Sequence, residues 1–147
     1  MSALTDVEPL ADATWRRSME ATTSELIGAG RALRDFLDGH DLGTRARYAC
    51  ELAFEELVSN VVHHAYDEGG PVEVTLVVDA STVTLTVIDS GRPFDPTAHQ
   101  PPPAPADLDA APIGGLGLTM VRRAVAAMRY ARRDGINRTQ VSLPTTD

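Results

Sequence analysis

The 147-residue sequence predicts an α+β fold, a two-layer α/β sandwich in which helices cover one face of a mixed, mainly antiparallel sheet. Three observations predict it. Helical periodicity runs through residues 23–37 and again through 44–66, two alternating apolar runs at 72–78 and 83–87 are separated by a short turn, and a last pair closes across Asp134-Gly135. Short turns between alternating runs pair strands antiparallel, and helices gathered early in the chain then bury their apolar faces on one side of that sheet.

In order, residues 1–12 form a polar arm expected to be flexible, and Ala13 to Glu20 fits an edge strand or a helix start, with strand preferred. From Thr23 to Leu37 the set Leu26, Ile27, Ala29, Leu33, Phe36 and Leu37 follows a helix, with Thr22 or Thr23 as N-cap. A second helix is expected from Thr44 to about Tyr66, ending before Gly69, Gly70 and Pro71. Val72, Val74, Leu76 and Val78 alternate as one strand, Val83, Leu85 and Val87 as the next, and Asp79-Ala80-Ser81 joins them. Residues 92–113 are rich in proline, alanine and aspartate without apolar periodicity, and a loop of that length in a small domain reads as functional. Gly114 to Leu118 opens a helix expected to reach Met128, and strands near Arg129–Arg133 and Ile136–Leu143 complete the chain.

Size and 43% hydrophobic content suit one domain over 1–147. No apolar run approaches the roughly 20 residues that cross a bilayer, and the N-terminus lacks the basic-then-apolar order of a secretion signal, so a cytoplasmic protein is expected. The single Cys50 among apolar neighbours reads as a small core residue. A net charge of −8 disfavours nucleic acid and membrane surfaces as partners. All 13 basic residues are arginine, which excludes a lysine-bearing phosphate loop and leaves glycines, metal or arginine to hold any phosphate.

Three features carry chemistry. Residues four apart on a helix sit about 40° apart around its axis, so Glu56 and Asn60 share a face, while Glu55 and Glu51 lie roughly 140° and 180° from Asn60. Ala49 and Ala53 project onto the same stripe and are expected to leave a hollow there. A carboxylate and an amide oxygen so placed suit a general base and a ligand for a hard metal ion, against the plain alternative of a solvated helix face. Asp89 continues the inward register of Val83, Leu85 and Val87, so its carboxylate needs a donor. An adenine amino group would supply one and a guanine carbonyl would not, with Gly91 allowing close approach; the alternative is an aspartate opening a turn. The cluster Gly114-Gly115-Leu116-Gly117-Leu118 enters a helix and suits phosphates cradled on backbone N–H groups, or else a flexible hinge.

Read in order, ELAFEELVSNVVHHAY, VIDSGRPFD and IGGLGL resemble the N, G1 and G2 boxes of the histidine-kinase-like (GHKL) ATPase superfamily. Within it the sequence is most similar to the bacterial anti-sigma-factor serine/threonine kinases, over Thr22 to Leu143, with His64-Ala65-Tyr66 as the family's His-x-Tyr ending. The resemblance implies a Bergerat-type fold, ATP and Mg²⁺ as cofactors, and a lid over the nucleotide at 92–113. It makes Glu56 the catalytic base and Asn60 the Mg²⁺ ligand. Asp89, Gly91, Phe94, Gly114, Gly115, Leu116, Gly117 and Leu118 become nucleotide-contacting residues beside Asn60. Pro93 departs from the glycine of many relatives, and Asp107 and Asp109 bring negative charge to the lid. His64 belongs to the box but also suits a hydrogen bond within the fold, and Arg122 and Arg123 read as a solvated face. The implied partners are a STAS-type anti-anti-sigma protein, which is phosphorylated, a sigma factor, which is sequestered, and a second copy as homodimer. A module in which ATP only tunes partner affinity is the alternative, and a two-component histidine kinase ranks below both.

Overall fold

The computed structural model describes residues 13–98 and 115–147; the expected arm 1–12, the lid from 99 onward and Gly114 lie outside them. In chain order the elements are β1 (Ala13–Glu20), α1 (Thr23–Asp38), α2 (Thr44–Asn60) continuing into a π-helical turn (Val61–Ala65), β2 (Pro71–Val78), β3 (Thr82–Asp89), a 3₁₀ turn (Pro96–Ala98), α3 (Gly115–Ala124), β4 (Ala127–Arg133) and β5 (Ile136–Pro144). The strands form one sheet in the order β1-β2-β3-β5-β4. Every pairing is antiparallel, so the sheet has none of the parallel character that "mixed" allowed.

Local chemistry accounts for the element boundaries. Thr22 caps α1, its hydroxyl accepting from Glu25 N–H at 3.2 Å. The turn between β2 and β3 is held by Asp79, whose Oδ1 accepts from Ser81 N–H at 2.9 Å and Thr82 N–H at 2.8 Å. Those backbone donors, Ser81 first, hold its carboxyl below the usual aspartate range. At the last hairpin Asp134 (φ 52°) and Gly135 (φ 79°) both take the left-handed conformation that a two-residue turn requires.

Alternation along the strands sets the core. Met19, Val72, Val74, Leu76, Val83, Leu85, Val87, Val141 and Leu143 face the helices and are buried with Leu26, Leu33, Leu37, Phe54, Val58, Leu118 and Val121. The other sheet face carries Thr75, Thr84, Thr86 and Gln140, with Gln140 Nε2 donating to Thr86 Oγ1 at 3.1 Å. Cys50 lies in the core, where burial, and then the charge of Glu51, push its thiol up to about 12, so it serves as packing.

Three expectations are corrected. Ala49 and Ala53 leave no hollow: both are buried in the core, where α2 packs against α1 and α3 and small side chains let the helices approach. The regular helix expected to Tyr66 ends at Asn60, and a wider π turn carries the chain to Ala65. The helix expected to reach Met128 stops at Ala124, because Ala127 and Met128 pair with Ser142 and Val141 of β5. That pairing, together with Ala126 N–H donating to Ser142 O at 2.8 Å, overrides a helical periodicity that the apolar residues alone could have continued.

Candidate nucleotide-binding site

Asn60 is the last residue of α2 and Asp89 the last of β3, and both line one cleft between the helix layer and the end of the sheet. The cleft measures about 380 Å³ counted to its open mouth, and Leu57, Val61, Val87, Phe94, Asn137 and Thr139 share its walls. Asn60 stands where the helical ladder widens into the π turn, a distortion that recurs at functional sites. Its Nδ2 is buried and has no hydrogen-bond partner. An amide with one orphaned terminal atom in a cleft is suited to a ligand that completes its bonding.

Asp89 is 8% exposed, as its inward register requires. The sequence left it without a protein donor; the fold supplies two. Oδ1 accepts from Gly91 N–H and from Asn137 Nδ2, each at 2.9 Å, and among the described residues no group bonds Oδ2. Gly91 has a structural reason to be glycine. A Cβ there would overlap the carbonyl of Ala65 and lie 2.6 Å from its Cβ, so the turn after β3 packs backbone to backbone on the end of the π turn. Arg92 N–H donates to that same Ala65 carbonyl at 2.9 Å.

Glu56 lies one helical turn before Asn60 and packs against Gly117, where a Cβ would overlap its carboxylate. This contact joins the helical box to the glycine cluster, which enters α3 at Gly115 and Leu116. Burial, and then the neighbouring charge of Glu55, hold the Glu56 carboxyl above the ordinary glutamate range. Leu118 is 1% exposed in the core, so any part it takes at the cleft falls to its backbone. Phe94 stacks on His64, ring centroids 6.1 Å apart and 21° between planes. His64 is thus a stacking partner, and its carbonyl accepts from Arg92 Nη1 at 2.8 Å. His63 turns back to Ser59 O at 2.8 Å from Nδ1. Arg122 and Arg123 are exposed, with Arg122 Nη2 donating to Thr97 O at 3.0 Å.

Sequence reasoning missed Asn137 and Thr139, and it named Tyr66 only as the end of the His-x-Tyr box. The signal for the first two was the inward register of β5, in which both alternate with outward residues up to Val141 and Leu143. Only the pairing of β5 with β3 puts Asn137 opposite Asp89. Tyr66 bolts the end of the π turn to two strands, its hydroxyl donating to Pro71 O at 2.7 Å and accepting from Ser90 N–H at 2.8 Å.

A helix-covered antiparallel sheet with a cleft between an asparagine-bearing helix and an aspartate at a strand end makes this a two-layer α/β sandwich with its candidate site between the layers. A family model described as the histidine kinase-like ATPase domain matches residues 19–143, and the chain belongs to that family. Among similar proteins, it is 38% identical over 95 residues to the serine/threonine-protein kinase BtrW of Bordetella bronchiseptica, a match covering 63% of this chain and 67% of that one. It is 31% identical over 91 residues to the serine-protein kinase RsbW of Halalkalibacterium halodurans, covering 58% of this chain and 56% of that one. The chain therefore spans about two thirds and just over half of these curated relatives. The crystal structure of the RsbU and RsbW domains of a Mycobacterium tuberculosis protein is similar in fold, with a TM-score of 0.62 at 19% identity over 91% of this chain and 33% of that one. Among the described residues, no helix is long and apolar enough to cross a membrane.

Proposed function

We propose that the chain is an ATP-dependent serine/threonine protein kinase acting as an anti-sigma factor, which phosphorylates a STAS-type anti-anti-sigma protein and sequesters a sigma factor. The observation that carries the reading is that Asn60 and Asp89 line one cleft, with Glu56 one helical turn before Asn60 and against Gly117, in a chain whose curated relatives are named serine kinases. In this reading the free Oδ2 of Asp89 accepts from the adenine amino group, and Phe94 on its His64 stack closes one side of the base pocket. The N-terminal turn of α3, which begins at Gly115, offers backbone N–H groups to the phosphates.

The side chains suit Mg²⁺ as companion of ATP. Among the described residues no group of three or more acidic, histidine or cysteine side chains forms a free-standing metal site. The amide oxygen of Asn60, in the lining of the cleft, instead offers the single protein ligand typical of a small ion held mainly by phosphate and water oxygens, while its partnerless Nδ2 can only donate and is free for an acceptor on the nucleotide or its water. ATP with Mg²⁺ supplies the transferable phosphoryl group and the neutralisation of its charge. Glu56 takes the proton of the incoming serine or threonine hydroxyl, a task that its raised affinity for protons favours. Gly117 keeps the space beside that carboxylate clear of side chain.

The test is phosphoryl transfer from labelled ATP to candidate antagonists, with calorimetry of MgATP binding alongside. Glu56→Ala is expected to keep nucleotide binding and lose transfer by at least about 100-fold, the scale of general base catalysis. Transfer at the wild-type rate in that variant would remove Glu56 from the mechanism. A wild-type protein that binds ATP but labels no antagonist would favour the reading in which ATP only tunes partner affinity.

A further inference from the structure

Asn137, on the covered face of β5, is 3% exposed, and its amide is gripped at both ends. On one side Tyr130 Oη donates to Oδ1 at 2.5 Å and Arg132 Nη1 donates to it at 2.8 Å. A guanidinium can only donate, so the atom facing Arg132 must be the amide oxygen and the NH₂ group must face Asp89. There Nδ2 donates to Asp89 Oδ1 at 2.9 Å, with the carbonyls of Arg92 and Gly91 at 3.0 and 3.3 Å beside it. Arg132 Nη1 also donates to Gly91 O at 2.9 Å, which anchors the turn that follows β3. With Gly91 N–H as its second donor, Oδ1 is engaged within the protein and the rotation of the carboxylate is set.

We propose that Asn137, locked by Tyr130 and Arg132, is a positioning residue for purine selection: it pins Oδ1 of Asp89 so that Oδ2 is the oxygen presented to the exocyclic amino group of the base. The proposal rests on the reading of the cleft as an ATP site. A pinned acceptor pairs with an amino group at no cost in reorganisation and meets a purine carbonyl with an unrelieved clash of acceptors. A carboxylate free to turn would relax away from that carbonyl and discriminate less.

The experiment is calorimetry of MgATP and of inosine triphosphate with Mg²⁺, which carries a carbonyl in place of the amino group, on wild type, Asn137→Ala and Tyr130→Phe. Wild type is expected to favour ATP by about 100-fold or more, as a site built to hydrogen-bond its ligand does. In Asn137→Ala the ratio is expected to fall within about tenfold, mainly through weaker ATP binding, with Tyr130→Phe in between. A purely structural role weakens both nucleotides alike, so an unchanged ratio in Asn137→Ala overturns the proposal. Should Asn137→Ala fail to fold, the ratio in Tyr130→Phe decides, and a wild-type ratio there overturns it equally. A wild-type protein that takes up neither nucleotide removes the ATP reading itself, and the proposal with it.

Discussion

At Glu56 the burial that suits it to the proposed role of base also costs the fold. Its carboxyl holds its proton more tightly in the folded protein than in the unfolded chain, so its contribution to stability is present below the unfolded value, about 4.3, and is lost as pH rises through the folded value. Glu56→Gln is therefore expected to abolish transfer yet melt higher than wild type at pH 7, the difference vanishing below about pH 4. A lower melting temperature at pH 7 would contradict the burial argument. The two site glycines separate in the same way. Gly91→Ala meets the backbone of Ala65, which cannot yield, and is expected to cost about 1–3 kcal/mol in denaturant unfolding. Gly117→Ala meets the movable end of Glu56, so its stability is expected to stay within about 1 kcal/mol of wild type while transfer falls as the carboxylate is displaced. Sequence periodicity alone chose Glu56 over Glu55 and Glu51, because helix geometry is the same wherever the helix packs. It could not choose Asn137, whose meaning depends on a strand 48 residues away.

Helix α2 presents the site, and both its ends are tied by distant chain. Its N-cap, Gly43, has no side chain to offer, and Asp147 takes the place, Oδ1 accepting from Arg45 N–H at 2.8 Å while Gly43 N–H donates to Thr145 O at 2.9 Å. Asp147→Ala is expected to cost about 1 kcal/mol, the worth of a helix cap, read as a lower urea midpoint with unchanged slope. At the other end the π turn delivers Tyr66 to Pro71 and Ser90. Since Asn60 lies six residues before Tyr66 and Asp89 directly precedes Ser90, this hydroxyl, with the bonds of Arg92 to the carbonyls of Ala65 and His64, ties the two halves of the cleft together. The helix was legible as an element from its apolar spacing; its π ending was not, because a widened turn leaves the same residues in the same order. The end of α3 was misjudged for a related reason. Ala124, Val125 and Met128 satisfy helical spacing, and only the offer of strand pairing by β5 makes extended backbone the better state for Ala127 onward.

For the whole molecule, the cleft lies where the helix layer meets the sheet, so a ligand bound there bridges both layers and stabilises only the folded state. MgATP at about 100 times its Kd should add about 2.7 kcal/mol, a rise in Tm of roughly 6–10 °C for a chain of this size, and chelation of the metal should reverse most of it. A Tm indifferent to MgATP would mean that the folded chain does not take up the nucleotide. The sequence by itself determined the sandwich, since alternation and helical spacing state which face of each element is apolar, and apolar faces have one arrangement that buries them all. It also determined Glu56, Asn60, Asp89 and the glycines as the residues to examine. Tertiary structure alone decided that Ala49 and Ala53 fill space rather than leave it, that Gly91 serves Ala65, and that Asp89 is shared with Asn137. Those facts depend on contacts between segments far apart in the chain, and local spacing carries no record of which distant atoms will come within hydrogen-bonding reach.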